Sequence, residues 1–525
     1  MIDMNSFSSS ELWSWMREFY SRSGPGAWSE GGVPSHITVN PGMADRYSML
    51  AVRFAQDCAR LGLISGSEPM RVVELGAGPG VFGFRMAQRL EALRGMVGLE
   101  GVRLLQVMSD QAEANVKSWL DHPALAAHIA SGALEVAHYD VLGGASLRSR
   151  RTGQEIAPVS DSRSDPMFFI ANYLFDSLPQ DLFRVSEGVV EIGEIALTAT
   201  DGTPVMVPPE AEEISIHWNW RPVEASACYE DAEFNAVLAE VSGRAGERDH
   251  FLFPVGALRC LRHLKALAGG RLLLVIGDIP SGDGFFYREP PQFLDPSAGY
   301  FYLPVDMGLV GRFVARLGGW ALRPAQEDDG LEISLFSIGL SFADLAETRL
   351  AVETHLATFG HSLVDGVIRH MQANAAPPPL PLFLALAAAG RWDPVLLDGS
   401  LEFLLTAYRD RSYLPEEWER LAAVLGRFAE NVFVTPGATD TYFSIGMLLQ
   451  EMGAYAEAIG WFQRSVTSFG ETVATLYNLA VCHTFTGETD TALGLFHRVV
   501  ALDPRHVLAR GWMAQVTYDA AVQIF

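Results

Sequence analysis

The sequence predicts an α/β chain in two parts: a doubly wound, mainly parallel sheet with an inserted cap, then an all-α helical repeat domain. Three observations carry that expectation. Strand-like apolar runs alternate with helical ones from Arg71 to Ala171, the order that builds a parallel sheet through crossover helices. A glycine-rich turn, Glu74-Leu-Gly76-Ala-Gly78-Pro-Gly80, closes the first of those runs. From Thr439 onward a period of 34 residues relates one helical pair to the next. With 525 residues, 49% of them hydrophobic, the chain exceeds what one core usually fills.

Taken in order, an amphipathic helix is expected from Ser10 to about Tyr20, broken by Ser23-Gly24-Pro25-Gly26. A second runs from about Pro41 through Leu61, with Met49, Val52, Phe54 and Leu61 on one face. Strand Arg71 to Leu75, helix Val81 to Leu93, strand Val102 to Met108, helix Gln111 to Leu120 and strand Leu134 to His138 follow. The polar stretch Ser146 to Pro166 reads as an exposed loop before strand Met167 to Ala171. Later strands are Arg271 to Gly277, Trp320 to Pro324 and Leu331 to Ile338, with helix Met307 to Leu317 before the last two. From about Phe183 to His250, β-like runs (Val189 to Leu197, Glu213 to Trp220) mix with helical ones, which suits a cap inserted over the sheet.

The repeat rests on matched pairs: Phe443 with Tyr477, Gly446 with Ala480, Gly453 with Gly487, Ala458 with Ala492, Phe462 with Phe496, and Val466 with Val500. Small residues stand where two antiparallel helices approach closely and large ones fill the groove, the tetratricopeptide pattern, and Pro504 ends the second unit. Ser341 to Asn431 is helical by apolar spacing and is assigned to degenerate repeats; Ala375 to Pro381 reads as a linker or helix-breaking joint within it. The expected domains are an N-terminal helical lid (1–66), the sheet domain (67–340, insertion about 183–250), a helical region (341–435) and the repeats (436–525).

Charge and cysteine usage exclude several classes. A net charge of -25 repels phosphate backbones, so nucleic acid is not an expected partner; a basic peptide or protein is, unless the acidity serves solubility alone. Cys58, Cys228, Cys260 and Cys482 show no C-x-x-C spacing, so neither a metal site nor a disulfide framework is expected and a reduced, cytoplasmic setting fits. The N-terminus has no long apolar core, and no apolar run of spanning length follows, so no membrane contact is expected.

The strand ends carry the expected chemistry. Gly76, Gly78 and Gly80, with Ala77 between, let the backbone pass against a ligand, while Glu74 can hold a ligand's amino end or the loop amides. Asp110 is the expected ribose ligand, or the N-cap of the helix that follows. Asp140, beside Val141, can accept from an adenine amino group or serve as a turn residue. Together these fit S-adenosyl-L-methionine, whose sulfonium, ribose and adenine need a close backbone approach, an acid and a clamp. The rival dinucleotide fingerprint G-x-G-x-x-G needs a small third residue, where Val81 stands here, with Gly83 two places on. Asn172 sits where a methyl group would project, and Asp176 is a base, a hydrogen-bond anchor for a substrate cation, or a helix cap.

Val72-Val-Glu-Leu-Gly-Ala-Gly-Pro-Gly80, Ala171-Asn-Tyr-Leu-Phe-Asp-Ser-Leu-Pro179 and Ile37-Thr38-Val-Asn-Pro41 resemble the MidA family of class I methyltransferases, which includes mitochondrial complex I assembly factors that methylate an arginine. The resemblance covers the first 340 residues or so and implies a Rossmann-like class I methyltransferase sheet. It also implies that Trp28, His36, Thr38, Asn40 and Tyr47 fold over the cofactor and help form the substrate entrance; taken alone, Tyr47 on an apolar helix reads as core. Tyr173 stands where that family has a glutamate able to grip a guanidinium, which puts arginine in question. Three functions follow: a methyltransferase acting on a protein or peptide presented by the repeats, one acting on a small molecule with the repeats used for assembly, or a scaffold without catalysis.

Overall fold

The computed structural model describes residues 5–29, 33, 35–66, 68–94, 96, 102–144, 146–156, 165–199, 214–279, 286–293, 300–324, 331–356, 363–374 and 379–523. The chain divides into two compact units, 1–361 and 362–525. The strands are β1 (Asn5–Ser6), β2 (Met70–Leu75), β3 (Leu104–Asp110), β4 (Leu134–His138), β5 (Arg148–Ser149), β6 (Met167–Asn172), β7 (Asp181–Ser186), β8 (Val189–Ala199), β9 (Ile214–Pro222), β10 (His250–Phe253), β11 (Leu272–Asp278), β12 (Trp320–Leu322) and β13 (Glu332–Ile338), all in the first unit.

One sheet runs β12-β13-β11-β6-β2-β3-β4-β5. Its central strands β4, β3, β2, β6 and β11 are parallel, so the chain order reads 3-2-1-4-5 and reverses between β2 and β6. That reversal opens a crevice at the carboxyl ends of the strands. β13 then runs antiparallel, wedged between β11 and β12. A dinucleotide fold of order 3-2-1-4-5-6 has no such wedge.

Period-2 alternation sends Val73, Leu75, Phe169, Ala171, Leu274 and Ile276 into one core, and Val72, Phe168, Ile170, Leu273 and Val275 into the other. The second face is covered by helix Pro41–Arg60, started by Pro41 and by the Asn40 side chain, which accepts from the Met43 N–H. The inserted region, joined by β1 from the N-terminus, builds a separate antiparallel sheet, β1-β8-β7-β10 with β9 on β8, and carries the helix Ala232–Ser242.

Three expectations shift. β3 extends through Asp110, two residues past the predicted end, because Asp110 still pairs with His138; the next helix therefore begins at Glu113, with Ala112 as its N-cap. Ser146 to Pro166 is not simply a loop: Arg148–Ser149 pairs with β4, and Leu147 and Ile156 are buried in the core, two anchors hidden among arginines and serines. Residues 157–164 of that stretch lie outside the described residues.

The compact boundary also falls later than residue 340, because helix Ala346–Ala351 packs on Pro41–Arg60 through one buried acid. Asp57, 0% exposed, accepts from the Thr348 N–H at 2.8 Å, the Thr348 hydroxyl at 2.9 Å and the Arg60 guanidinium at 2.8 Å. Asp57→Ala strands those donors and should lower the unfolding free energy of the first unit by about 3 kcal/mol, read from denaturant melts.

Among its described residues the second unit's named elements are all helices, from Leu363–Asn374 to Val507–Gln523. Of the expected joint, residues 375–378 lie outside the described residues, and Leu380 opens a helix with Pro381 in its first turn. In the pair Thr441–Glu451 and Tyr455–Phe469, a Cβ at Gly446 would lie 2.6 Å from the Phe462 ring, so the small residue sets how closely the two helices approach. Its counterparts Ala480 and Phe496 are likewise fully buried. Among the described residues no helix is long and apolar enough to cross a membrane.

Candidate functional site

After β2 the backbone turns through Gly76, Gly78 and Gly80 at φ of 62°, 54° and 86°, a left-handed path that penalises any Cβ. Two indoles pin the turn: a Cβ at Gly78 would lie 2.9 Å from Trp28, and one at Gly80 would lie 2.7 Å from Trp119. From β3, Asp110 holds it. One carboxylate oxygen accepts from the Gly78 N–H at 2.9 Å and the other from the Ala112 N–H at 2.7 Å. Burial raises the Asp110 pKa, and those two amides oppose the rise. Beside it, burial and then the Asp110 charge hold Glu74 well above the usual carboxylate range. Among the described residues Glu74 Oε2 meets no hydrogen-bond partner.

A cleft with about 1070 Å³ of empty space, counted to its open mouth, lies over this edge. Glu74, Gly76, Ala77, Gly78, Asp110, Asp140, Val141 and Asn172 all line it, as the sequence suggested, whereas Gly80 faces Trp119 and Met108 beneath. Asp140 is both a turn residue and a wall: it accepts from the Leu142 N–H at 2.9 Å and from Arg17 at 2.6 Å. Arg17 belongs to a roof that sequence reasoning missed. Helix Glu11–Ser23 sets Trp13, Arg17 and Tyr20 on one face over the cleft, and Tyr20 stacks on Trp28 with centroids 5.6 Å apart. The only signal for them was their i, i+4, i+7 spacing. Of the residues the resemblance places over the ligand, Trp28 and Thr38 line the cleft; His36, Asn40 and Tyr47 do not.

Two predicted catalytic residues stand behind the wall. Tyr47 is 0% exposed, and its hydroxyl donates to Asn172 Oδ1 at 3.2 Å. Asp176 lies inside a 3-10 turn, Phe175–Ser177, whose N-cap is Leu174, so it caps no helix, and it does not line the cleft. Its N–H donates to Asp278 Oδ2 at 3.1 Å, and both carboxyls are buried. Burial pushes Asp278 up to about 7; burial and the Asp278 charge hold Asp176 well above its ordinary value. Between them, Tyr173 lines the cleft with its own φ at 46°.

Val81 does not separate the ligand classes after all. Counted from Gly78, the third fingerprint position is Gly83, where a Cβ would lie 2.7 Å from Met108 Sδ and 2.8 Å from Glu74 Oε2. The close helix-on-strand packing that a third glycine serves is therefore present. Charge separates them instead. Among the described lining residues Glu74, Asp110 and Asp140 face a single cation, Arg17, which Asp140 already pairs, so a pyrophosphate finds no unpaired cation there. Among the described residues no group of three or more His, Cys, Asp or Glu could hold a metal ion.

The sheet and cleft define an open α/β ligand-binding unit. No family model and no curated protein matches the chain. Among solved structures it is similar to a superfamily member from Burkholderia thailandensis, described as a candidate methyl transferase and bound to S-adenosyl-homocysteine, with 15% identity and a TM-score of 0.41 over 68% of this chain and 84% of that one. An uncharacterized protein of the same superfamily and organism matches at 14% identity and a TM-score of 0.40, over 65% of this chain and 90% of that one.

Proposed function

We propose that the first unit is an S-adenosyl-L-methionine-dependent methyltransferase. One observation carries the reading: an acid edge, Glu74 with Asp110 and Asp140, lies under a left-handed glycine turn at the strand-order reversal. That edge offers acceptors to an ammonium and a ribose, and among the described lining residues it offers a pyrophosphate no unpaired cation. Glu74, which lines the cleft, would take the ligand's amino end, Asp110 a ribose diol, and Asp140 with Val141 an adenine edge. When bound, S-adenosylmethionine supplies an electrophilic methyl group. The chain's own residues orient and enclose: Trp13, Tyr20 and Trp28 keep water from the cleft, and Asn172 borders the reacting end.

The methyl acceptor is a protein or peptide side chain, recruited by the second unit acting as tetratricopeptide-type repeats. The period of 34 and the net charge of -25 support this, since a concave helical array binds peptides and an acidic surface draws basic ones. Arginine is the less favoured side chain, because Tyr173 replaces the acid the resemblance implies and Asp176 does not line the cleft. The aromatic roof favours a second reading, a small-molecule acceptor, which a chain ending at His361 would still methylate.

Calorimetry with S-adenosyl-homocysteine tests the cofactor. Wild type should bind, and Asp110→Ala should weaken binding about 100-fold while the chain stays folded, because the turn loses its clamp and the ligand its acid. A wild-type chain that binds neither S-adenosylmethionine nor S-adenosyl-homocysteine overturns the reading.

A further inference from the structure

Asn172 ends β6 and lines the cleft, and two groups behind it have no other evident task. Tyr47 sits in the middle of helix Pro41–Arg60, fully buried, its ring edge-on to Phe82 at 5.6 Å. A phenylalanine would fill that core without the cost of desolvating a hydroxyl. The hydroxyl reaches Asn172 Oδ1 at 3.2 Å. Burial holds it protonated, so it donates and the amide oxygen accepts. On the other side, Gly277 of β11 stands opposite Asn172 in the parallel register. Glycine weakens a strand interior, which demands a spatial reason. A Cβ at Gly277 would lie 2.8 Å from Asn172 Oδ1 and 3.1 Å from the Tyr47 hydroxyl, so only glycine leaves room for the pair. Its carbonyl accepts from the Tyr173 N–H at 2.8 Å, fixing the left-handed residue that follows.

We infer that Tyr47 and Gly277 are positioning residues that lock the Asn172 carboxamide in one orientation at the cleft wall. A carboxamide is planar, so holding Oδ1 on the hydroxyl leaves Nδ2 as the donor that Asn172 offers to a ligand. The ligand atom it meets is therefore one with a lone pair. The identity of that ligand rests on the methyltransferase reading; the locking itself does not.

Two readouts on the full chain test the inference: S-adenosyl-homocysteine binding by calorimetry, and the side-chain amide signals of a chain labelled with 15N at asparagine. Tyr47→Phe should weaken binding about tenfold and should add no further loss in an Asn172→Ala background. It should also move the one amide pair that Asn172→Ala removes, leaving the other asparagine signals in place, an outcome that simple loss of core packing does not produce. Gly277→Ala should move the same pair. An Asn172 signal unmoved by Tyr47→Phe, or binding losses that add in the double variant, overturns the inference. If the signal moves while wild type binds no S-adenosyl-homocysteine, the cofactor reading fails and the positioning stands.

Discussion

Gly78→Val should abolish S-adenosyl-homocysteine binding, with a loss of more than about 100-fold, and leave the unfolding of the second unit unchanged. Three costs coincide at this position. Its φ of 54° is a conformation that a β-branched residue enters at a penalty of roughly 1–2 kcal/mol. The new Cβ would lie 2.9 Å from Cζ2 and 3.1 Å from Cη2 of Trp28, so the indole that roofs the cleft must move. The N–H of the same residue is the one Asp110 holds at 2.9 Å, and a displaced turn leaves that buried carboxylate short of a donor. Each term acts on the ligand wall rather than on the sheet beneath it. Gly78→Ala, which keeps the first branch of the strain but adds less bulk, should fall between the two. Calorimetry checks the affinities, and a valine variant within threefold of wild type would show that the turn is not a wall of the ligand site.

The sequence made β2, β3, β4 and β6 legible to within two residues because each is an apolar run bounded by polar or turn residues, and burial on both faces leaves little freedom in their ends. The cleft followed from the same fact: once four strands lie parallel in register, Glu74, Asp110, Asp140 and Asn172 fall at one edge. What stayed hidden depended on long returns of the chain. Arg17 and Tyr20 face the cleft because the first helix packs against the distant helix Glu113–Asp121, and nothing local to that first helix names its target. Asp176 offered itself as a base or cap since its partner, Asp278, lies 102 residues away on β11. Gly83 was in plain view, and only the choice of register concealed it.

That distant partner sets the second large effect. Asp278→Asn should stabilise the first unit by roughly 3–4 kcal/mol at pH 8 and hardly at all at pH 4. Both carboxyls are buried, Asp278 at the end of β11 and Asp176 in the 3-10 turn after β6. In the unfolded chain each ionises near pH 4. In the folded chain burial pushes Asp278 up to about 7, and Asp176, buried beside that charge, ionises well above its ordinary value. Raised carboxyl pKa values mean that the folded state binds more protons than the unfolded one across this window. The pair's contribution is therefore fully present below about pH 4 and is lost as pH rises through about 7. Asparagine removes one of the two ionisations, keeps an oxygen for the N–H of Asp176, and offers an N–H to the Asp176 carboxyl. Denaturant melts at intervals from pH 4 to 8 check it: the gap between variant and wild type should open as pH rises from 4 through 7. A gap that stays constant with pH would mean that Asp278 is as ionised in the folded chain as in the unfolded one. Because Asp278 holds the turn that follows Tyr173 and Leu174, and asparagine can still hold it, ligand binding should stay within a few-fold of wild type.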